Sequence, residues 1–342
     1  MKPKVTMQQI ADELKLSKNS VSQALSGKDG VSEETRNLVM NKAQELGYNY
    51  PKNKKTSIGS QETSKQTGTL ALIASDFAFS MRGFFGEIYL SIEKEAKQRG
   101  YELLIQSIDR TAIAERKLFP FLQNRSVDGL IILSHITTEY TKMLLRTGIP
   151  AVMIDHHHPD LQVDCILTNN RFGSYEAIRH LVELGHRDIG FVGDTQFSPS
   201  YQERLDGYRM AMQAFGLAVK EMWVCSRAVE DSTFIHEYTK SLESQPTAWF
   251  CVNDGLGFFI TSSVQQLGMK VPEEVSIVSF DNGYLSQIST PPSTTIDVDL
   301  KLFAAKAVER LMERINDPIQ PYTELHLPTK LVVRESTGRP RD

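Results

Sequence analysis

Cysteine is scarce in this chain. Its 342 residues include three, Cys165, Cys225 and Cys251, far apart and never in a C-x-x-C pair. That pattern excludes a disulfide framework and a thiolate zinc site, and it fits a reducing compartment. Long apolar runs are missing as well. None approaches the roughly 20 residues that cross a bilayer, and the opening MKPKVTMQQI lacks the apolar stretch of a signal peptide. A cytoplasmic protein with no membrane partner is expected. Catalytic signatures are equally absent: there is no G-x-S-x-G, no G-x-x-x-x-G-K-[ST] and no H-E-x-x-H, and the histidines show no convincing carboxylate spacing. No enzymatic activity, cofactor or metal is expected.

Net charge is small too, at −4, but it is unevenly placed. Residues 1–66 carry 11 Lys and Arg against 7 Asp and Glu, whereas the remainder carries 27 against 35. A small basic head on a larger acidic body suits one part that meets phosphates and another that does not. The length is right for two or three domains.

Within the head, Thr6-Met-Gln-Gln9 has the form of a capping box, and Ile10, Ala11 and Leu14 follow on one helical face. Ser17 is a second N-cap candidate, opening residues 18–26 with Val21, Ala24 and Leu25 turned inward. After a turn flanked by Gly27 and Gly30, Ser32 caps a third helix on which Thr35, Val39, Ala43 and Leu46 repeat, and Gly47 ends it. Two short helices joined by two or three residues and propped by a third make a helix-turn-helix unit. Lys18, Asn19, Ser22, Gln23 and Ser26 form an outward polar face that packing does not require. In a major groove such a face donates to and accepts from base edges; in solvent it is the ordinary surface of a three-helix bundle.

The pattern V-T-x-x-x-I-A-x-x-L-x-L-S-x-x-S-V-S-x-A-L-S-G, then V-S-x-x-T-R and E-L-G-Y, closely resembles the head of the LacI/GalR family of bacterial repressors. The resemblance runs almost to the C-terminus, through G-H-R-x-I-x-F-V-G, R-x-x-G-Y, P-T-A-x-F-x-x-N-D, V-S-I-V-S-F-D, P-P-x-T-T-I and R-E-S-T-G. It implies that the second helix reads an operator, with Lys18, Asn19 and Gln23 as base readers. Thr6, Ser17, Ser22, Ser32 and Thr35 become capping or phosphate-contacting groups, and Tyr48 sits where the head meets the DNA backbone. Two departures stand out. Many relatives have Arg where Gln23 stands, and Gln pairs best with adenine where Arg prefers guanine. Lys15 occupies a turn position often held by Gly, at a cost of about 1 kcal/mol if a left-handed conformation is required.

The linker, residues 51–68, is polar and aperiodic, without the Asn-x-x-Ala-Arg-x-Leu stretch usual in the family; Ile58 is a weak candidate for a minor-groove wedge, and a flexible basic tether is the plainer reading. From Thr69 onward, strand-like segments (69–75, 101–108, 127–134, 149–155, 189–193, 247–253, 275–281) alternate with amphipathic helices, as a parallel α/β sheet requires. The expected architecture is therefore α/β: a three-helix head over residues 1–50, the linker, and a body over 69–342. The resemblance makes that body a periplasmic-binding-protein-like pair of doubly wound subdomains, with crossings near residues 168, 296 and 325.

Polar residues stand at the C-terminal ends of these strands: Asp76, Ser134, Asp155, Asn253-Asp254 and Asp281-Asn282. Carboxylates and amides there can each take adjacent hydroxyls, and an arginine fork can take two more. The resemblance points to Phe84, Phe85, Arg204, Asn253 and Asp281 as effector contacts, with Asp76, Ser134 and Asp155 behind them. Single strand-end carboxylates also cap helices, and Phe84 and Phe85 also suit a core. His156-His157-His158 cannot all point one way and reads as a rim loop rather than a metal site. The function implied is a ligand-regulated transcription factor that binds a pseudo-palindromic operator as a homodimer, repressing carbohydrate-use genes until a small sugar releases it. The alternative is a corepressor-type regulator answering to a purine, a sugar phosphate or a partner phosphoprotein.

Overall fold

The computed structural model describes residues 6–26, 31–46, 48, 66–76, 78, 84–133 and 136–341. The linker over 51–65, with its candidate wedge Ile58, and the candidate Ser134 lie outside the described residues, as do the side chains of Ser26 and Phe84. The chain divides into two compact units, residues 1–65 and 66–342.

The head contains α1 (Met7–Leu14), α2 (Lys18–Ser26) and α3 (Glu33–Glu45). Thr6 caps α1 in a reciprocal box: its hydroxyl accepts from Gln9 N, and its own N–H donates to Gln9 Oε1 at 2.8 Å. Ser17 and Ser32 accept from the backbone N–H three residues on, at 3.0 and 3.2 Å, opening α2 and α3. Ile10, Ala11, Val21, Ala24, Val39 and Ala43 close a small core between the three helices. Helix α1 ends at Lys15, which adopts φ 52°, ψ 39° and so carries the left-handed conformation anticipated for it. Its N–H donates back to Ala11 and Asp12, a C-cap arrangement that glycine fills without steric cost.

The body holds two six-stranded sheets. The first takes β1 (Thr69–Ser75), β2 (Glu102–Ile108), β3 (Gly129–Leu133), β4 (Ala151–Ile154), β5 (Asp164–Thr168) and β11 (Glu324–Leu327), in the order β2-β1-β3-β4-β5-β11, all parallel. The second takes β6 (Ile189–Val192), β7 (Val224–Cys225), β8 (Ala248–Cys251), β9 (Ser276–Asp281), β10 (Thr294–Val298) and β12 (Thr329–Val332), in the order β7-β6-β8-β9-β10-β12, parallel except for β12. Central strands such as GLIIL, AVMI and AWFC are buried along their whole length, because helices cover both faces of a parallel sheet.

Those helices are α4 (Phe84–Gln98), α5 (Arg110–Ala114), α6 (Pro120–Gln123), α7 (Thr138–Leu145), α8 (Asn170–Leu184), α9 (Pro199–Ala214), α10 (Ser232–Ser241), α11 (Asp254–Gln266), α12 (Tyr284–Ile288) and α13 (Leu300–Asn316). The chain passes from the first sheet to the second after Thr168, back after Val298, and over again between Leu327 and Thr329. At the return, α13 is fastened to β5 by a buried ion cluster. Asp164, fully buried, accepts from Arg310 and Arg314 at 2.8 Å and from Thr323 N at 2.9 Å. Burial alone would raise the Asp164 carboxyl, but the two guanidiniums overcome it and hold it below its usual range. Where α8 meets α9 the approach is close enough that a Cβ on Gly207 would run into the Arg171 carbonyl and stand 2.8 Å from Ser174 Cβ.

Candidate functional site

In the head, Lys18 and Asn19 are exposed at the start of α2, and Ser22 and Gln23 follow one turn later, half-buried. Helical steps of 100° place the four within about 140° of arc, turned away from the buried Val21 and Ala24. Thr6, Ser17 and Ser32 act as N-caps, and the Thr35 hydroxyl lies 2.8 Å from that of Ser32. Each helix start therefore presents backbone N–H groups of the kind that meet phosphates. Tyr48 packs half-buried against the head core. Arg36, unremarked in the sequence, donates to the Ala24 carbonyl at 3.3 Å and ties α3 to the last turn of α2.

In the body, the chemistry collects where strands of the two sheets end. Asp155 follows β4 with φ 54°, and Asp281 and Asn282 close β9 with φ 100° and 53°. Left-handed backbone at residues other than glycine costs roughly 1 kcal/mol or more each and concentrates at binding sites. Between Asp155 and Asp281 lies Arg204 on α9, 2 % exposed. Its Nη1 sits 3.0 Å from Asp281 Oδ1 and also meets the Val252 carbonyl, while Nε donates to Asn170 Oδ1 at 2.9 Å. The guanidinium stacks on Phe280 with 3.7 Å to the ring centre. Asp281 Oδ1, although close to Arg204, has no aligned hydrogen-bond donor. Ser200 Oγ donates to Asp155 Oδ1 at 2.9 Å. Asn253 caps α11 through Leu256 N at 2.8 Å, and its amide nitrogen reaches Tyr201 Oη at 2.7 Å and Glu230 Oε1.

Four carboxyls here are shifted upward, while Glu203 beside them, against the effect of burial, is held below its usual range by His157, Asn170 and Arg171. Burial raises Asp155 to about 6, against the pull of Arg204 and Ser200, with Asp281 and Glu203 pushing the same way as burial. Burial and Asp281 lift Asp254 to about 7, despite bonds from Ser279, Thr295 and Gly283 N. Asp281 and Glu230 are raised as well, first by burial. Beside the cluster, Glu203 joins the halves: Asn170 donates to it at 2.9 Å, and His157 Nε2 lies 3.2 Å away with its other nitrogen toward Glu324. The three histidines diverge. His156 buries both ring nitrogens without partners and is pushed down to about 4 by burial and its neighbours, His157 pairs with Glu203, and His158 is exposed. A cavity of about 500 Å³ opens alongside, lined by Ile136, Thr138 and His156 from one half and Thr195, Phe197 and Pro199 from the other. A second, of about 430 Å³, lies between Arg146, Asp160 and Tyr322 and touches none of this chemistry.

Of the residues singled out from sequence, the structure brings Asp155, Arg204, Asn253 and Asp281 into one cluster. Asp76 stands apart, exposed and bonded to Ser107 at 2.9 Å. Phe85 is 6 % exposed within the main core. Phe84 opens α4. Sequence reading missed Tyr201, Ser200, Asn170, Glu203 and Glu230. The first two follow Pro199 in the opening turn of α9, ahead of Arg204, which was a usable signal; Glu230 sits on an irregular loop with no pattern around it.

A helix-turn-helix head and a two-sheet body with a polar cleft define the class: a DNA-binding transcription regulator. Residues 6–50 match the family described as bacterial regulatory proteins, lacI family, and residues 178–337 match a periplasmic binding protein-like domain. The chain is 30 % identical over 340 residues to the HTH-type transcriptional regulator DegA of Bacillus subtilis, covering 98 % of both chains. It is also 30 % identical over 338 residues to the HTH-type transcriptional repressor PurR of Vibrio campbellii, covering 98 % and 99 %. The structure of a transcriptional regulator CelR–cellobiose complex superposes with TM-score 0.70 at 26 % identity, covering 97 % of this chain and all of that one. The chain belongs to the LacI family.

Proposed function

We propose that this regulator works as a cytoplasmic homodimer, without catalytic activity of its own, whose body binds a small hydroxylated effector between its halves. Residues 1–50 act as the reading head, 51–68 as linker and 69–342 as sensor. The observation that carries this is the Asp155–Arg204–Asp281–Asn253 cluster. Its parts come from strand ends of both sheets, so a ligand seated there favours one arrangement of the halves over another. The solved CelR–cellobiose complex supports a saccharide as the occupant. In the head, Lys18, Asn19 and Gln23 read bases, and Thr6, Ser17, Ser22, Ser32, Thr35 and Tyr48 fix the helix on the DNA backbone. Two heads are required because one nine-residue helix spans too few base pairs for a specific site.

The test is thermal unfolding of the full chain against mono- and disaccharides, sugar phosphates and purines, followed by operator binding with each hit. A ligand that binds only the folded state raises the midpoint as its concentration exceeds Kd. A neutral saccharide that shifts the midpoint and weakens operator binding supports induction by sugar. A purine or phosphorylated ligand that strengthens operator binding replaces that reading with corepression.

A further inference from the structure

Among the described residues the cleft is unbalanced in charge, and the imbalance bears on what fills it. Asp155 and Asp281 share a single guanidinium, that of Arg204, and Glu230, bonded to Asn253, adds a third carboxyl close enough to Asp281 to feel its charge. Arg204 is already committed: Nη1 meets Asp281 and the Val252 carbonyl, and Nε serves Asn170. No other cation among the described residues faces these three groups. The nearby cations Arg171 and His157 are turned to Glu203. Asp254 adds a fourth carboxylate behind Asp281, held by Ser279, Thr295 and Gly283.

Two acceptors in the cluster are incompletely served, Asp155 Oδ2 and Asp281 Oδ1, the latter paired with Arg204 Nη1 in charge but out of hydrogen-bond alignment. Asp155 is 6 % exposed; Ser200 serves Oδ1, and Oδ2 has no hydrogen bond among the described residues. Asp281 Oδ1 is shielded from water and lacks an aligned donor. Glu230 is an exposed residue whose carboxylate accepts from Asn253, at the opening of α11. A neutral hydroxyl would supply one proton to such a site and no charge. An ammonium supplies three donors and the missing positive charge together.

We propose that the effector of this regulator carries a protonated amine among hydroxyls, as an amino sugar does, with the ammonium seated between Asp155, Asp281 and Glu230 beside Arg204. The proposal rests on the cleft being the effector site, and it makes Glu230 a determinant of specificity. Phosphorylated and carboxylated ligands are disfavoured by the same three groups. Because burial already raises all three carboxyls, and the Asp281 charge raises Asp155 and Glu230 further, a bound cation keeps them ionised, and the filled cleft takes up protons less readily than the empty one.

The experiment titrates the full chain at pH 7.5, by calorimetry and thermal shift, with matched sets: glucosamine, galactosamine and mannosamine, their neutral parent sugars, their N-acetyl forms and the parent 6-phosphates. At least one free amine is expected to bind tenfold or more tighter than its parent and its N-acetyl form. Glu230→Gln is expected to bring that ratio toward one. A parent sugar or phosphate that binds as tightly as its amine overturns the charge reading and leaves the effector cleft standing. An amine preference untouched by Glu230→Gln removes Glu230 from the site. No binding by any member overturns this proposal, while the saccharide reading beneath it stands or falls with the wider panel of mono- and disaccharides.

Discussion

Replacing Arg204 with alanine tests whether the cleft is held together by one buried cation. The side chain is 2 % exposed, and its removal strands Asn170 Oδ1 and the Val252 carbonyl and leaves Asp281 without its ion-pair partner. Each buried acceptor left without a partner costs about 1–3 kcal/mol. The stack on Phe280 adds on the order of 1–2 kcal/mol. Relaxation and protonation of Asp281 limit the total to about 3–5 kcal/mol, the range seen when one side of a buried ion pair is removed. For a body of this size that lowers Tm by roughly 6–20 °C. The two tryptophans, Trp223 and Trp249, both lie buried in the body, so their fluorescence in urea reports this unit alone.

The loss must also depend on pH. Asp155 has a folded pKa of about 6 against an unfolded value of 3.8, so its ionisation opposes folding; the cost is absent below pH 4 and complete above the folded pKa. Without Arg204 the folded values of Asp155 and Asp281 climb further. The deficit is then largest above pH 7 and shrinks toward pH 5, by about 1.4 kcal/mol per pH unit for each carboxylate that takes up a proton. A loss under about 1 kcal/mol at pH 8 would refute the reasoning, as would a loss of equal size at pH 5 and pH 8.

Other expectations concern the head and the frame of the body. Lys15→Gly should relieve the left-handed C-cap of α1 and stabilise the head by up to about 1 kcal/mol, read as slower amide exchange over residues 6–26; unchanged exchange means the turn is unstrained. Gln23→Ala should weaken operator binding by about 1–3 kcal/mol while leaving random DNA nearly unaffected; equal losses on both would show a role other than base reading. Asp164→Asn leaves Arg310 and Arg314 without their buried anion and should cost about 3–5 kcal/mol in urea unfolding, and a change below a third of that would mean the cluster relaxes around water.

Legibility of the sequence followed how local each signal was. The head could be read because capping boxes and a three-and-four apolar spacing act within a few residues, and Thr6, Ser17 and Ser32 do cap the helices they precede. The strand run over 275–281 was plain because VSIVSFD is buried on both faces. DCILT, the fifth strand, was hidden by its opening Asp164, whose charge makes sense only beside two arginines about 150 residues away. ELHL was equally obscure, as an edge strand with three exposed positions. In the cleft, Arg204 and Asp281 were reached through family motifs, whereas Glu230 and Tyr201 gain meaning only when Asn253 stands between them.

The route of the chain between the two sheets bears on how the protein comes off the ribosome. Strands β11 and β12 sit at the edges of different sheets, with only Pro328 between them. Both halves of the body are thus completed within the same short stretch of translation. Folding in order of synthesis, one half and then the other, is closed to this body. A stop between the first sheet's opening strand and residue 324 strips an edge from each sheet at once, and the resulting fragment carries the full sequence of the helix-turn-helix head with no finished body behind it.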